Sequence, residues 1–363
     1  VTASGRPPHG PGHRPEDRLA GGCSRALQKQ WWRAQPGWQA QALRPLAGLL
    51  AGLAALHRAA YASGWLQRYH AHVPVLVVGN LIVGGAGKTP TVLALIDALR
   101  RRGWQPGVVS RGYGRQGTAL VDVDGATDAR RCGDEPLLIH LRTGVPVVVA
   151  ADRAAAAAHL LRAYPAVDLL LADDGLQHWR LQRDVQVLVF DARGAGNGLR
   201  LPAGPLRQAL PRALPQDTLV LYNADQPSTR LPGWQAQRKL AGATELAPWW
   251  RGEQPSPQAL LALRGRPVLA AAGTGQPERF FGMLRAAGLV IEPYPLPDHT
   301  DFATLPWPPD TPDVVVTEKD AVKIRPDRIG STRVWVVGLD FQLPHDFEVR
   351  VVSLLEAARA PAS

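Results

Sequence analysis

The chain has 363 residues, 45% of them apolar and 20% charged, a globular composition long enough for two domains that excludes a disordered or fibrous protein. Only Cys23 and Cys132 are present, so there is neither a disulfide framework nor a cysteine metal site, and a reducing compartment is the default. The net charge of +10 is uneven: within residues 1–70 nine Lys/Arg stand against Glu16 and Asp17, which is +7 of the total and fits an anionic membrane surface or a nucleic acid.

Residues 1–26 are rich in Gly, Pro and Arg without periodicity and are expected to form a disordered extension. From 27 to 72 the pattern turns aromatic and apolar, with Trp31, Trp32 and Trp38 ahead of an uncharged run at 45–56. A spanning helix needs about 20 apolar residues, and this run has 12. It predicts either an ordinary buried helix or a membrane-associating one that lies in the bilayer surface, with tryptophans at the interface and arginines on its flanks. Its apolar neighbours favour the membrane over a nucleic acid, for which no interleaved basic and aromatic sheet face is evident.

Residues 73–225 alternate strand and helix patterns. Candidate strands are 75–78, 107–110, 145–149, 167–172, 185–190 and 218–222, with helical periodicity at 91–102, 135–142 and 153–163. Such alternation predicts an α/β fold, a parallel sheet with helices on both faces and ligands at the carboxyl ends of its strands. After the first strand come Val83, Gly84, Gly85, Ala86, Gly87, Lys88, Thr89 and Pro90. Backbone N–H groups of such a loop and of the following helix cradle phosphates, Lys88 reaches the β- and γ-phosphates, and the Thr89 hydroxyl holds Mg²⁺. The usual first glycine of the motif, six positions before the lysine, is here Ile82, so the spacing is that of a G-G-x-G-K-T variant.

Other strand ends carry further candidates. Ser110, Arg111, Tyr113 and Arg115 lie in Ser-Arg-Gly-Tyr-Gly-Arg, suited to phosphate or sugar recognition or simply a solvated basic turn. Asp134 opens a helix in Gly-Asp-Glu-Pro, where a cap and a catalytic carboxylate are equally compatible with the pattern. Asp173 and Asp174 follow the most apolar strand and lead into Gln177 and His178. A carboxylate there suits a Mg²⁺ ligand and its neighbour can act on an acceptor. The stretch 197–207 reads as a shaped loop with Arg207 as an anion clamp, or as a plain surface loop. Residues 226–266 read as a linker, and 267–363 as a smaller α/β domain with strands at 267–272 and 289–294 and a third entering Thr317-Glu-Lys-Asp-Ala-Val-Lys323. His299 follows a strand end between two acids. The lysines are only Lys29, Lys88, Lys239, Lys319 and Lys323, and three of the five fall in these stretches.

Seven motifs in this order, Val-Gly-Asn-Leu-Ile-Val-Gly-Gly-Ala-Gly-Lys-Thr-Pro, Ser-Arg-Gly-Tyr-Gly-Arg, Gly-Asp-Glu-Pro, Asp-Asp-Gly-Leu-Gln-His, Leu-Pro-Ala-Gly-Pro-Leu-Arg, Pro-Asp-His and Thr-Glu-Lys-Asp-Ala-Val-Lys, resemble the tetraacyldisaccharide 4'-kinase family over about residues 27–350. The resemblance implies a P-loop NTPase-like core and transfer of the ATP γ-phosphoryl group, with Mg²⁺, to the 4'-hydroxyl of a tetraacylated disaccharide 1-phosphate in lipid A biosynthesis. The variant glycine spacing is part of it. It implies that Asp134 and His299 pair as an acid–histidine dyad, with Asp173 and Asp174 beside them. It also implies closure of two domains on the nucleotide. Asn80, Ser110, Arg111, Tyr113, Arg115, Gln177, His178 and Arg207 are the candidate substrate-binding residues, and Thr89 and Asp173 the candidate metal ligands. The expected location is the cytoplasmic face of the inner membrane, with the lipid disaccharide and the anionic membrane surface as partners, no nucleic acid and no obligate protein partner. The chain departs from the family pattern at Gln208, where a glutamate would follow Arg207. The alternative from the phosphate loop alone is a nucleotide-switch GTPase or ATPase acting on a protein, for which the chain lacks an N-K-x-D guanine signature.

Overall fold

The computed structural model describes residues 29–33, 35–298 and 300–359. The expected extension 1–26 and His299 lie outside the described residues. Contacts divide the chain into two compact units, the described part of Val1–His57 with Ala195–Leu210, and Arg58–Gly194 with the described part of Pro211–Ser363.

The first unit holds α1 (Trp38–Ala42) and most of α2 (Arg44–Ala62). Within α2 only Ala47 is buried. Leu46, Leu49, Leu50, Leu53 and Leu56, spaced at three and four residues, are exposed, so the buried-helix reading of this segment does not hold. No described helix is long and apolar enough to cross a membrane. In the same unit Trp31 Nε1 donates to the Pro202 carbonyl at 3.0 Å, which ties the 195–210 loop to the N-terminal segment.

The second unit contains two sheets. The first is built from β1 (Val75–Gly79), α3 (Lys88–Arg100), β2 (Pro106–Ser110), β3 (Val121–Val123), α4 (Ala129–Cys132), α5 (Asp134–Thr143), β4 (Val147–Val149), α6 (Arg153–Ala163), β5 (Leu169–Asp173), β6 (Val185–Asp191), β7 (Thr218–Asn223) and β8 (Trp234–Gln235). Its eight strands run in the order β3-β4-β2-β5-β1-β6-β7-β8, parallel except for the β3–β4 pair. Every residue of β1, β2, β5 and β7 is buried, which requires cover on both faces and explains why these strands read as continuous apolar runs. The strands predicted at 75–78, 107–110, 145–149, 167–172, 185–190 and 218–222 are all present within a few residues.

The stretch 226–266, expected as a linker, carries β8, β9 (Gln237–Glu245), α7 (Leu246–Trp250) and α8 (Pro257–Leu261). It is followed by β10 (Pro267–Ala272), α9 (Pro277–Ala286), β11 (Val290–Pro295), β12 (Asp313–Thr317), α10 (Glu318–Ala321), β13 (Arg333–Gln342) and α11 (His345–Arg359). The second sheet has the order β11-β10-β12-β13-β9, and β9 is its antiparallel edge strand. The prolines of 226–266 suggested a connection, but Pro248 and Pro257 stand in the first turns of helices, where a missing N–H does no harm, and Pro227, Pro232 and Pro255 lie between elements. One apolar cluster contains Val78, Val92 and Leu95 of the first sheet and its helix together with Val314, Val316 and Phe341 of the second. The sheets therefore share a core and are not joined by a free hinge.

Candidate active site at the carboxyl edge of the first sheet

β2, β5 and β1 are parallel neighbours, so Ser110, Asp173 and Gly79 end at one edge of the sheet. The loop from Asn80 to Gly87 follows β1, and Lys88, Thr89 and Pro90 form the first turn of α3. Gly87 caps that helix at φ +93°, a left-handed conformation costly for any residue with a Cβ, and the Asn223 side chain fills the space where a Cβ would stand. Pro90 sits where the helix needs no N–H donor. Asn80 Nδ2 donates to the Gly84 carbonyl at 2.9 Å and Asn223 Nδ2 to the Ala86 carbonyl at 3.0 Å. Arg193 Nη2 donates to the Gly85 carbonyl at 2.6 Å, and Arg238 Nε to Asn223 Oδ1 at 2.6 Å. With these carbonyls turned onto side chains, the loop is held as a cradle whose amides and α3 N-terminus suit an anion.

Lys88 Nζ lies 3.4 Å from Asn80 Oδ1 and 3.7 Å from Asp174 Oδ2. Asp173 is the last residue of β5 and is 4% exposed, and its Oδ1 has no hydrogen-bond partner. Burial, reinforced by the Asp174 charge, pushes its carboxyl up to about 7 against the pull of Lys88. An unpartnered buried carboxylate oxygen beside a phosphate cradle fits a Mg²⁺ ligand. Among the described residues no group of three or more His, Cys, Asp and Glu could hold a metal alone. That suits Mg²⁺, which takes one or two carboxylates and completes its shell with phosphate and water. Asp174 has φ +52°, and its N–H donates to Val78 at 2.9 Å, fixing the turn between the two strand ends. Arg153, buried at the start of α6, donates to the Asp174 carbonyl at 3.2 Å. Burial and then the nearby exposed Arg111 disfavour its charge, while Asp174, Asp173 and Asp152 favour it.

Ser-Arg-Gly-Tyr-Gly-Arg and Gly-Asp-Glu-Pro are pressed together. A Cβ on Gly133 (φ +96°) would stand 2.9 Å from the Gly112 Cα, and one on Gly112 (φ +67°) would run into the Cys132 carbonyl. This contact brings Asp134, the first residue of α5, to the edge that carries Ser110. Tyr113 is exposed, whereas Arg115 turns back into its own loop and donates to the Ala119 carbonyl at 2.6 Å. Cys132 is buried and its thiol is pushed up to about 12 by burial, so it is no nucleophile. Beyond the acid pair, His178 Nε2 stands 3.3 Å from Asp152 Oδ1, and Asp152 also pairs with Arg180. Burial and then Arg153 bring His178 down to about 4, so its imidazole is neutral at physiological pH.

From the second sheet the Thr-Glu-Lys-Asp-Ala-Val-Lys segment meets the same helix. Lys323 Nζ is 3.8 Å from Asp134 Oδ2, and Lys319 Nζ is 3.7 Å from Glu135 Oε1 and 3.2 Å from Asp298 Oδ1. Asp298, the residue before His299 in the chain, therefore shares Lys319 with Glu135 at the start of α5. Arg207 and Gln208 belong to the other unit. Sequence reasoning missed Asn223, Arg153 and Arg238. The strand-end rule that found Ser110 and Asp173 also points to Asn223, the last residue of β7; Arg238, second in the antiparallel strand β9, carries no such signal.

The family described as tetraacyldisaccharide-1-P 4'-kinase matches residues 39–356. A tetraacyldisaccharide 4'-kinase of Methylibium petroleiphilum is 55% identical over 342 residues, covering 93% of this chain and 94% of that one. Its counterpart in Leptothrix cholodnii is 50% identical over 351 residues, covering 94% and 98%. The crystal structure of LpxK from Aquifex aeolicus, in complex with ATP, shares the fold with a TM-score of 0.73 at 24% identity, covering 89% of this chain and 100% of that one. With 318 consecutive positions inside the family's span and relatives at half or more identity over nearly their whole length, the chain belongs to the tetraacyldisaccharide-1-P 4'-kinase family.

Proposed function

We propose that this protein transfers the γ-phosphoryl group of ATP to the 4'-hydroxyl of a tetraacyldisaccharide 1-phosphate, at the cytoplasmic face of the inner membrane. The observation that carries the reading is the meeting of the Lys88 loop, the Asp173–Asp174 pair and Asp134 at one sheet edge, in a chain of this family. The cradle amides and Lys88 bind the β- and γ-phosphates and take up charge that develops on the transferred group. Asp173 and Thr89 are the residues that would hold Mg²⁺, which neutralises phosphate charge when bound. Asp134 accepts the proton of the 4'-hydroxyl as its oxygen bonds to the γ-phosphorus and the bond to the bridging oxygen of ADP breaks. His299 is the partner proposed for Asp134, supported by the closeness of Asp298 to Glu135 through Lys319. Asn80, Ser110, Arg111, Tyr113, Gln177, His178 and Arg207 are proposed contacts for the phosphorylated sugar. Asn80 and Arg115 are the weaker candidates, since Asn80 is fully buried with its amide on the Gly84 carbonyl and beside Lys88, and the Arg115 guanidinium serves its own loop. The exposed leucines of α2 support contact with the bilayer in which a four-chain substrate resides.

The test is incubation of detergent-extracted protein with ATP and tetraacyldisaccharide 1-phosphate, with phosphate incorporation at the 4' position as the readout and Lys88→Ala as control. Incorporation by the intact chain and none by the variant is the expected result. ATP hydrolysis stimulated by a protein and unaffected by the lipid would replace this reading with the nucleotide-switch one.

A further inference from the structure

Lys323 is a nearly buried cation with three defined neighbours. Its side chain is 7% exposed, its Nζ lies 3.2 Å from Asp320 Oδ1 and 3.8 Å from Asp134 Oδ2, and it stands 5.1 Å above the Phe302 ring. Asp320 is fully buried and firmly held, since its Oδ2 accepts from the Gly273 N–H at 3.0 Å and from Thr317 Oγ1 at 2.7 Å. It anchors the ammonium at the carboxyl ends of β10 and β12. The second carboxylate, Asp134, opens α5 at that edge. At 3.8 Å the ammonium attracts it across a distance too long for a hydrogen bond, so Lys323 orients Asp134 Oδ2 without occupying it as a donor. A residue that served only to join the two sheets would gain more from short contacts such as those of Arg142, whose Nη1 donates to both Glu318 oxygens at 2.6 Å.

We propose that Lys323, anchored on Asp320 and Phe302, is a positioning residue that holds the Asp134 carboxylate for the acceptor hydroxyl without itself donating a hydrogen bond to it. The inference rests on the kinase reading and on the role given there to Asp134. It predicts an effect on turnover that passes through Asp134 and spares nucleotide binding.

Lys323→Met and Lys323→Gln, each made alone and in an Asp134→Ala background, are assayed by radiolabelled phosphate transfer, with melting temperature as a fold control. The single variants are expected to lose about tenfold or more in kcat with KM for ATP within about twofold, and to lose nothing further in the Asp134→Ala background. Lys323→Arg, which keeps the charge, is expected to recover most of the rate. A kcat within twofold of the parent in a folded single variant overturns the proposal, as does an equal loss in both backgrounds. If Lys323→Met fails to fold, Lys323→Gln and Lys323→Arg still decide it, because the Arg variant must exceed the Gln variant in turnover. Absence of transfer by the parent protein, or full activity in Asp134→Ala, would instead refute the kinase reading or the role of Asp134.

Discussion

Asp173 carries a carboxylate at the end of a strand with no exposed residue, and burial there raises its pKa. The folded-state value of about 7 lies above the ordinary 3.8, so the unfolded chain releases this proton first. Without metal and nucleotide, stability is therefore highest below pH 3.8 as far as this group is concerned, and is lost as pH rises towards 7. Asp173→Asn removes that slope. The variant is expected to melt higher than the parent at pH 8 in the absence of ligand, while losing Mg²⁺-dependent turnover. A lower melting point across the whole range would show that the carboxylate has a structural partner. Asp134 makes the contrasting case, since it ends no buried strand and sits at the mouth of a helix. Asp134→Ala is expected to lower turnover by about 10²–10⁴-fold, to a residual rate that radiolabelled transfer still reads, with little change in ATP affinity by calorimetric titration; near-normal turnover would remove it from the mechanism.

At the scale of elements, the apolar strands of the first sheet were legible because burial on both faces leaves short continuous runs rich in Val and Leu, bounded by polar or turn residues. The site was legible for a related reason: parallel strands place their ends on one edge, and Ser110, Asp173 and Lys88 follow directly from that rule. β9 was not legible, because an edge strand with one partner is only partly buried and reads Gln-Arg-Lys-Leu-Ala-Gly, closer to a loop than to a core strand. The contact of Lys323 with Asp134 was hidden for another reason, since nothing local records which distant strand end a helix start will meet. For α2 the sequence allowed both burial and a membrane surface, and exposure decides against burial. Replacing Leu49, Leu53 and Leu56 together with serine is expected to leave the melting temperature within about 2 °C, because exposed side chains contribute little to folding. The same variant is expected to reduce co-sedimentation with vesicles containing anionic phospholipid by about tenfold or more. Unchanged sedimentation would assign the leucines to some other contact.

Over the whole second unit, α5 carries ion pairs to the second sheet at both of its ends. Lys323 meets its first residue, and near its other end Arg142 is almost buried between Glu318 on α10 and Asp340 on β13, each at 2.6 Å. Glu318 is buried and pushed upward by that burial, against Arg142, the Leu339 N–H and Trp249 Nε1. Such a pair costs desolvation on both sides, so its net worth is small while it is intact and large when it is halved. Arg142→Met leaves the Glu318 charge buried without its cation, which is expected to cost about 3–5 kcal/mol and to lower the melting temperature by roughly 10 °C in a protein of this size. Replacing both partners, with Arg142→Met and Glu318→Leu, is expected to recover more than half of the loss. Because the sheets share one core, both variants should still melt in a single transition by calorimetry. Two separate transitions in Arg142→Met, with only the earlier one shifted, would mean that the sheets fold independently. The ion pair would then be a contact between domains, and closure about residues 226–266 would return as the way the site assembles.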